Sequence, residues 1–292
     1  MLSHRTRLVR HRMMTIDFEQ HRSHLRGVAY RMLGSLTEAD DAVQEAWLRL
    51  ERAEPSDVAN PRGWLTTVVA RICLDMLRSR TSRREEPLDA RADGPIATDA
   101  KQELMLADSV GLALMVVLDK LDPAERLAFV LHDSFGLSFD EIAPIVGRTP
   151  EAARQLASRA RRRVQGSPPP DTDLASQRHI VESFIAALRR GDVEGMVAVL
   201  APDVVGRVTD PKGNVREVRG ARTWASGAVQ FAQLATDMGA AAALIDGAVG
   251  IVVAPRGKLV RALTFTFADG QIATAEIIID KARLAALDIA PL

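Results

Sequence analysis

The segment GSPPPD, Gly166 to Asp171, divides the chain into two halves that obey different periodicities. Proline has no backbone N–H to donate and holds φ near −65°, so no helix crosses three in a row and the stretch forms a stiff polyproline spacer. Before it, apolar residues recur at helical spacing up to about Arg80 and again from Leu104 to Val164. After it, helices are predicted over Gln177 to Arg190 and Val193 to Leu200, followed by the β-rich runs VREVRG, AVGIVVA, LVRALTFTFADG and QIATAEIII. A second break, SRREEPLDARADGPIATD from Ser82 to Asp99, is polar and carries two prolines and a glycine, which reads as a flexible linker. The expected boundaries are a basic tail over 1–14, helical domains over 15–82 and 104–166, linkers over 83–103 and 167–173, and an α+β domain over 174–292.

The second helical domain ends in FDEIAPIVGRTPEAARQLASRARRRV. Phe139, Ile142, Ala143 and Val146 fit one face of a short helix, with Pro144 early enough in it to cost little. Gly147 permits the left-handed backbone of a tight turn. Thr149 can cap the next helix, with Pro150 at its first position and Glu151 at the positive end of its dipole. Ala153, Leu156, Ala160 and Val164 are its expected inner face. Helix, short glycine turn and second helix make the helix-turn-helix pattern, whose second helix enters the major groove. Thr149, Glu151, Arg154, Gln155 and Ser158 lie early enough to meet base edges. Arg159, Arg161, Arg162 and Arg163 lie later and suit phosphates. Formal charge across the whole chain balances at 38 basic and 38 acidic residues, so a nucleic-acid surface must be a local patch like this one.

In the first helical domain, Thr37 and Asp40 read as a capping box opening TEADDAVQEAWLRL. Ala42, Val43, Ala46 and Leu50 form its buried stripe, leaving Asp40, Asp41, Gln44 and Glu45 on an acidic face able to meet a basic partner. The following helix presents Trp64, Leu65, Val68, Ile72 and Leu77 to the core, with Arg62, Arg71, Arg78 and Arg80 as the basic complement. Cys73, the only cysteine, sits in that apolar company as a buried core thiol. No apolar run reaches the ~18 residues that span a bilayer. The opening MLSHRTRLVRHRMM lacks the apolar core of a signal peptide, and Met13 or Met14 offers an alternative start. A soluble cytoplasmic protein, with no membrane partner, is expected.

DDAVQEAWLRL, then NPRGWLTTVVARICLDMLRSR, then a linker, then the arginine helix, resembles the bacterial extracytoplasmic-function sigma factors, members of the sigma-70 family. The resemblance covers about Ile16 to Gly166. It implies a sigma2 helical bundle and a sigma4 helix-turn-helix domain, with core RNA polymerase and promoter DNA as partners. Asp41, Gln44 and Glu45 would face the β′ clamp helices, and the second helical domain the β flap. Arg62, Trp64, Arg71, Asp75, Arg78 and Arg80 would engage and melt the −10 element, and the arginine helix would read the −35 element. Many relatives carry asparagine in the turn that here holds Arg71 and Ile72.

Most members of that family end near the arginine helix, whereas this chain continues for about 120 residues, enough for another domain. The helical stripe Ile180, Val181, Phe184, Ile185 and Leu188, followed by LAPDVV and the strand-rich remainder, is similar to the SnoaL-like branch of the NTF2-like superfamily, a helix-lined conical sheet with an internal pocket. In fused sigma factors of this kind LAPDVV precedes a D-G-G-G-K-V loop. Here the loop reads DPKGNV, with Asp210, Gly213 and Val215 as the matching residues of a regulatory loop. His179 is the only histidine after the proline spacer and has no obvious carboxylate partner, so neither catalysis nor a metal or other cofactor is expected. The domain reads instead as a modulator of initiation, through a small-molecule or interdomain ligand, making a separate anti-sigma factor unnecessary. Two other readings fit the residues less well: a one-component helix-turn-helix transcription factor with a ligand sensor, and a SnoaL-like enzyme fused to a DNA-binding module.

Overall fold

The computed structural model describes residues 2–52, 60–83, 109–166, 173–209, 215–234 and 239–292. The expected linkers, apart from Arg83 and Asp173 at their ends, lie outside the described residues, as do Asp210 and Gly213. The chain forms two compact units, residues 1–95 with 121–161, and residues 96–120 with 162–292.

The first unit opens with helices α1 (Leu2–Leu33), α2 (Leu36–Arg52) and α3 (Pro61–Arg83), each packed on the other two. The residues expected as a tail continue the backbone of α1. Leu25, Val28, Ala29 and Met32 of α1 meet Ala42, Val43 and Ala46 of α2 and Leu65, Val69 and Ile72 of α3 in a fully buried core. The cap of α2 is Ser35, not Thr37: its Oγ accepts from the Glu38 N–H at 3.4 Å, two residues earlier than the sequence reading placed the cap. Asp40 is withdrawn from the capping role and the acidic face, because Arg26 holds both its oxygens at 2.8 and 3.0 Å. The inner stripe of α3 also differs from expectation. Val69 and Cys73 take the core, while Trp64 and Val68 are half-buried. Burial pushes the Cys73 thiol up to about 12, which leaves it protonated and inert.

The same unit continues with α5 (Pro123–Phe129), a π-helical turn (Val130–Ser134), α6 (Phe139–Val146) and α7 (Pro150–Gln165). Ser138 and Glu141 form a reciprocal capping box at the start of α6, and Gly147 ends it at φ +70°. Pro144 falls in the last turn of α6 rather than early, at an exposed position where the lost backbone bond is left to water. Thr149 Oγ1 accepts from the Ala152 N–H at 3.3 Å, so it caps α7 as expected. The buried side of α7 is Ala153, Ala157 and Ala160; Leu156 is half-buried, and Ala157 was missed.

The second unit is built on a seven-stranded sheet ordered β2-β1-β6-β5-β4-β3-β7, with β1 (Leu200–Thr209) parallel to β6 (Gln271–Ile278) and every other pairing antiparallel. The remaining strands are β2 (Val215–Arg219), β3 (Ala240–Ile245), β4 (Ala248–Val253), β5 (Arg261–Ala268) and β7 (Ile289–Ala290). Helices α8 (Leu174–Arg190), α9 (Val193–Ala198) and α10 (Ala221–Leu234) cover one face, packing Phe184, Met196 and Trp224 in one core with Phe265 of β5. This helix-lined sheet is the α+β architecture expected of the C-terminal domain. The opposite face, carrying Ala241, Ala243, Ile245 and Val252, is covered by α11 (Lys281–Ala286) and by α4 (Ser109–Asp119), which lies before the arginine helix in sequence. Lys120 fixes the end of α4 by donating to the carbonyls of Leu284 and Leu287 at 3.2 and 2.7 Å.

Candidate nucleic-acid and polymerase interfaces

On α2, Asp41, Gln44 and Glu45 share one face by their i, i+3 and i+4 spacing, opposite the buried Ala42, Val43 and Ala46. Asp41 and Gln44 are exposed. Glu45 is half-buried and accepts from Arg49 Nε at 2.9 Å, an exposed i,i+4 pair that a partner cation can replace at little cost.

The basic residues of α3 divide into two groups. Arg71, Asp75 and Arg78 are exposed at successive turns of one helix face, and Arg62 is exposed at the start of the helix. Arg62 Nη2 lies 3.1 Å from His24 Nδ1, while the other ring nitrogen of His24 lies 3.1 Å from Thr66 Oγ1. Burial, then the Arg62 and His21 charges, hold the His24 pKa below its usual value, so its neutral ring supports the Arg62 guanidinium. Arg80 turns inward: it pairs with Glu38 of α2 and reaches the Leu33 carbonyl at 3.5 Å. Trp64 stands half-buried beside this surface.

The N-terminal half of α7 presents Glu151, Arg154, Gln155 and Ser158 to solvent, with the alanine side facing the core. Arg154 also lies over the Phe139 ring at 5.2 Å, and that ring stacks on His132 at 4.1 Å between centroids, which pre-orders the guanidinium. Hydrogen bonds from its own backbone and from Thr149 keep the Glu151 carboxyl below the usual carboxylate range, so it stays ionised at the helix start. The later arginines are unequal. Arg162 and Arg163 are exposed, but Arg159 meets the buried Glu125 carboxylate at 3.2 Å and Arg161 holds Asp133 Oδ1 at 2.7 and 2.9 Å. Sequence reasoning missed Glu125 and Asp133. The Arg161 partner is 28 residues away, beyond any local pattern.

The helix-turn-helix and the three-helix core also touch one another within this unit. Buried Arg126 of α5 donates from Nε to the Arg31 carbonyl at 2.9 Å, Arg31 lies 5.3 Å over the Phe135 ring, and Arg71 Nη2 approaches the Pro144 carbonyl at 3.4 Å.

In the second unit His179 is exposed on α8 and Asp203 is exposed on β1. Val215 lies exposed at the start of β2.

Family comparisons agree with this layout. The Sigma-70 region 2 family matches residues 18–83, and the Sigma-70, region 4 family matches residues 111–164. The chain is 43% identical over 216 residues to the ECF RNA polymerase sigma factor SigJ of Mycobacterium tuberculosis, covering 70% of this chain and 68% of SigJ. It is 40% identical over 211 residues to SigI of the same organism, covering 70% of this chain and 73% of SigI. The crystal structure of M. tuberculosis SigJ aligns over 92% of this chain and 97% of that one, with 33% identity and a TM-score of 0.45. A helical core that matches Sigma-70 region 2, followed by a helix-turn-helix that matches region 4, is the layout of a promoter-recognition factor. This chain belongs to the extracytoplasmic-function sigma factors of RNA polymerase. It acts with core polymerase on promoter DNA to initiate transcription, and it is not an enzyme. No described helix is long and apolar enough to cross a membrane.

Proposed function

We propose that the exposed faces divide the work of initiation as follows. Asp41, Gln44 and Glu45 dock the 15–82 domain on the β′ clamp helices. Arg62, Trp64, Arg71, Asp75 and Arg78 of that domain engage and melt the −10 element, with Arg80 holding α3 in place from inside. The 104–166 domain contacts the β flap and reads the −35 element through Thr149, Glu151, Arg154, Gln155 and Ser158, while Arg159, Arg161, Arg162 and Arg163 hold phosphates. The segments 83–103 and 167–173 connect the domains, and the 174–292 domain modulates initiation in place of a separate anti-sigma factor, using Asp210, Gly213 and Val215 as a regulatory loop. The observation that carries this reading is the pair of outward polar faces on α2 and α7, each backed by a fully buried alanine-rich side.

Free and promoter-bound forms must then differ. By their names the −10 and −35 elements lie roughly 25 base pairs apart, about 85 Å along B-DNA at 3.4 Å per step. Arg71 of the −10 surface is 3.4 Å from a carbonyl of the helix-turn-helix, so reading both elements requires these contacts to open. Reconstituted transcription with core polymerase, on promoters selected from a random template library, tests the docking face. Asp41→Lys with Glu45→Lys is expected to reduce polymerase-dependent initiation at least tenfold while lowering stability by no more than about 1 kcal/mol, through the lost Glu45–Arg49 pair. Undiminished initiation by that variant would remove α2 from the polymerase interface.

A further inference from the structure

The helix-lined face of the sheet carries a half-open apolar strip with one unsatisfied cation at its end. Side chains alternate between faces along a strand. Ala262 packs in the outer core with α4, whereas Leu263, Phe265 and Phe267 pack on the helix-lined side, so Arg261 shares that inner side. The register aligns Val208 of β1 with Ile277 of β6, and Ile277 with Leu263 of β5. Gly206 backs onto Trp224 of α10, and Ala275 belongs to the inner core, which puts Val208 and Ile277, two residues further on, on the same inner side. These three apolar residues occupy central strands, where a filled core would bury them. All three are instead half-buried, and neither Val208 nor Ile277 joins the inner core. Arg216 of β2, opposite Val208, ends the row on the far side and is exposed. At the spacing of adjacent strands, the row from β2 to β5 spans about 14 Å.

Arg261 sits at the other end. Its guanidinium stacks 4.1 Å over the ring of Phe231 on α10, and Phe231 is one of the few exposed large apolar residues among those described. The Nε of Arg261 is buried without any hydrogen-bond partner. Burial lowers its pKa, yet an arginine keeps its charge, so the cost of desolvation is not relieved by deprotonation. The ring face offsets part of that cost but supplies no acceptor for Nε. An acceptor arriving in the plane of the guanidinium would complete it, and a carboxylate fits Nε and one Nη side by side.

We propose that this strip is a binding site for a small organic carboxylate with a flat apolar body: the carboxylate on Arg261, the body along Leu263, Ile277 and Val208, with Phe231 as the lid over the charged end. The proposal deepens the reading of this domain as a modulator, on which its consequence for transcription rests, but binding itself requires neither polymerase nor promoter. Isothermal titration of the full chain with 2-naphthoate and its uncharged counterpart 2-naphthamide tests it. The acid is expected to bind once per chain and at least about tenfold more tightly than the amide, the difference supplied by one charge-assisted pair. Arg261→Gln is expected to erase that preference. Leu263→Trp, which fills the strip but leaves Arg261 in place, is expected to abolish binding of both probes while the chain keeps its cooperative melt. Equal affinities for acid and amide, a preference that survives Arg261→Gln, or no binding of either probe at millimolar concentration would each overturn the proposal, the last because the strip would already be occupied by a segment of this chain. Failure here would leave polymerase-dependent initiation as it stands. Loss of initiation with naphthoate binding intact would instead fault the functional reading alone.

Discussion

Asp133 offers the sharpest test of how the arginine helix uses its charges. Arg161 donates twice to one oxygen of Asp133, at 2.7 and 2.9 Å, and the two side chains are 42% and 24% exposed. An ion pair of that exposure contributes about 0.2–1 kcal/mol. If Arg161 leaves Asp133 for a DNA phosphate, that sum is lost from binding, and Asp133→Asn should tighten promoter binding by about 1.4- to 5-fold at low salt, the gain shrinking as salt screens the pair. Arg161→Ala should remove one phosphate contact. Its log K against log salt should be shallower by about 0.9, so that it loses about 3.5-fold less affinity than the native chain between 50 and 200 mM salt. Asp133→Asn should then do nothing further in the Arg161→Ala background. The assay is fluorescence anisotropy of the polymerase holoenzyme on a labelled duplex carrying the −35 element, across that salt range. An equal gain from Asp133→Asn with and without Arg161 would mean that the carboxylate acts only as a nearby repulsive charge. An unchanged slope for Arg161→Ala would mean that this arginine never touches phosphate.

Three further outcomes follow from local geometry. Lys120→Met keeps the apolar stem but removes the ammonium from the carbonyls that close α11; at this exposed position the loss should be about 1 kcal/mol in urea unfolding, with faster amide exchange over Lys281–Ala290 and initiation altered by more than twofold. Glu141 accepts from the Ser138 backbone and hydroxyl, which holds its carboxyl below the ordinary range, so its contribution is present above that range and is lost as pH falls through the lowered value. Thermal melts between pH 6 and pH 3 should therefore separate the native chain from Glu141→Gln near neutrality and bring the two together in acid. A Cβ on Gly206 would overlap the indole nitrogen of Trp224, so Gly206→Ala should cost about 1–3 kcal/mol by overpacking and red-shift the tryptophan emission.

How legible the molecule is from its sequence depends on whether each feature is local. The turn at Gly147, the Thr149 cap and the exposed face of α7 rest on contacts within four residues, and the sequence reading places all of them. The strands β2, β4, β5 and β6 are legible for the same reason, as short β-branched runs bounded by turn residues. β1 and β3 are not. LAPDVV carries a proline and ends a helical run, and AAAALI is a stretch of strong helix formers held extended because β3 pairs with β4 and β7. The Ser35 cap shows the same limit on a finer scale, since Ser35 and Thr37 are equally good caps by composition and only the path of the chain after Gly34 decides between them. Arg80, Arg159 and Arg161 read alike with their neighbours as basic surface, because nothing local indicates that Glu38, Glu125 and Asp133 wait across the fold.

The placement of α4 carries that argument to the level of domains. SVGLALMVVLD is apolar on nearly every side, so its periodicity selects no face and gives no direction in which to pack. By sequence order it belongs with the helix-turn-helix, and the region 4 match begins within it at residue 111. In the structure Leu112, Ala113, Val116 and Val117 are instead buried in the outer core of the α+β unit, and Met115 packs over Gly257, where a Cβ would lie only 3.2 Å from the Met115 Cβ. An all-apolar helix needs a large apolar surface, and the small side chains at Ala241 and Ala243 let the backbone of α4 come close to the sheet. Truncating the chain at Gly166 would therefore do more than delete a modulator. It would strip α4 of its partner and expose Leu112, Val116 and Val117, so point substitutions in the full chain are the cleaner way to ask what the α+β unit does for initiation.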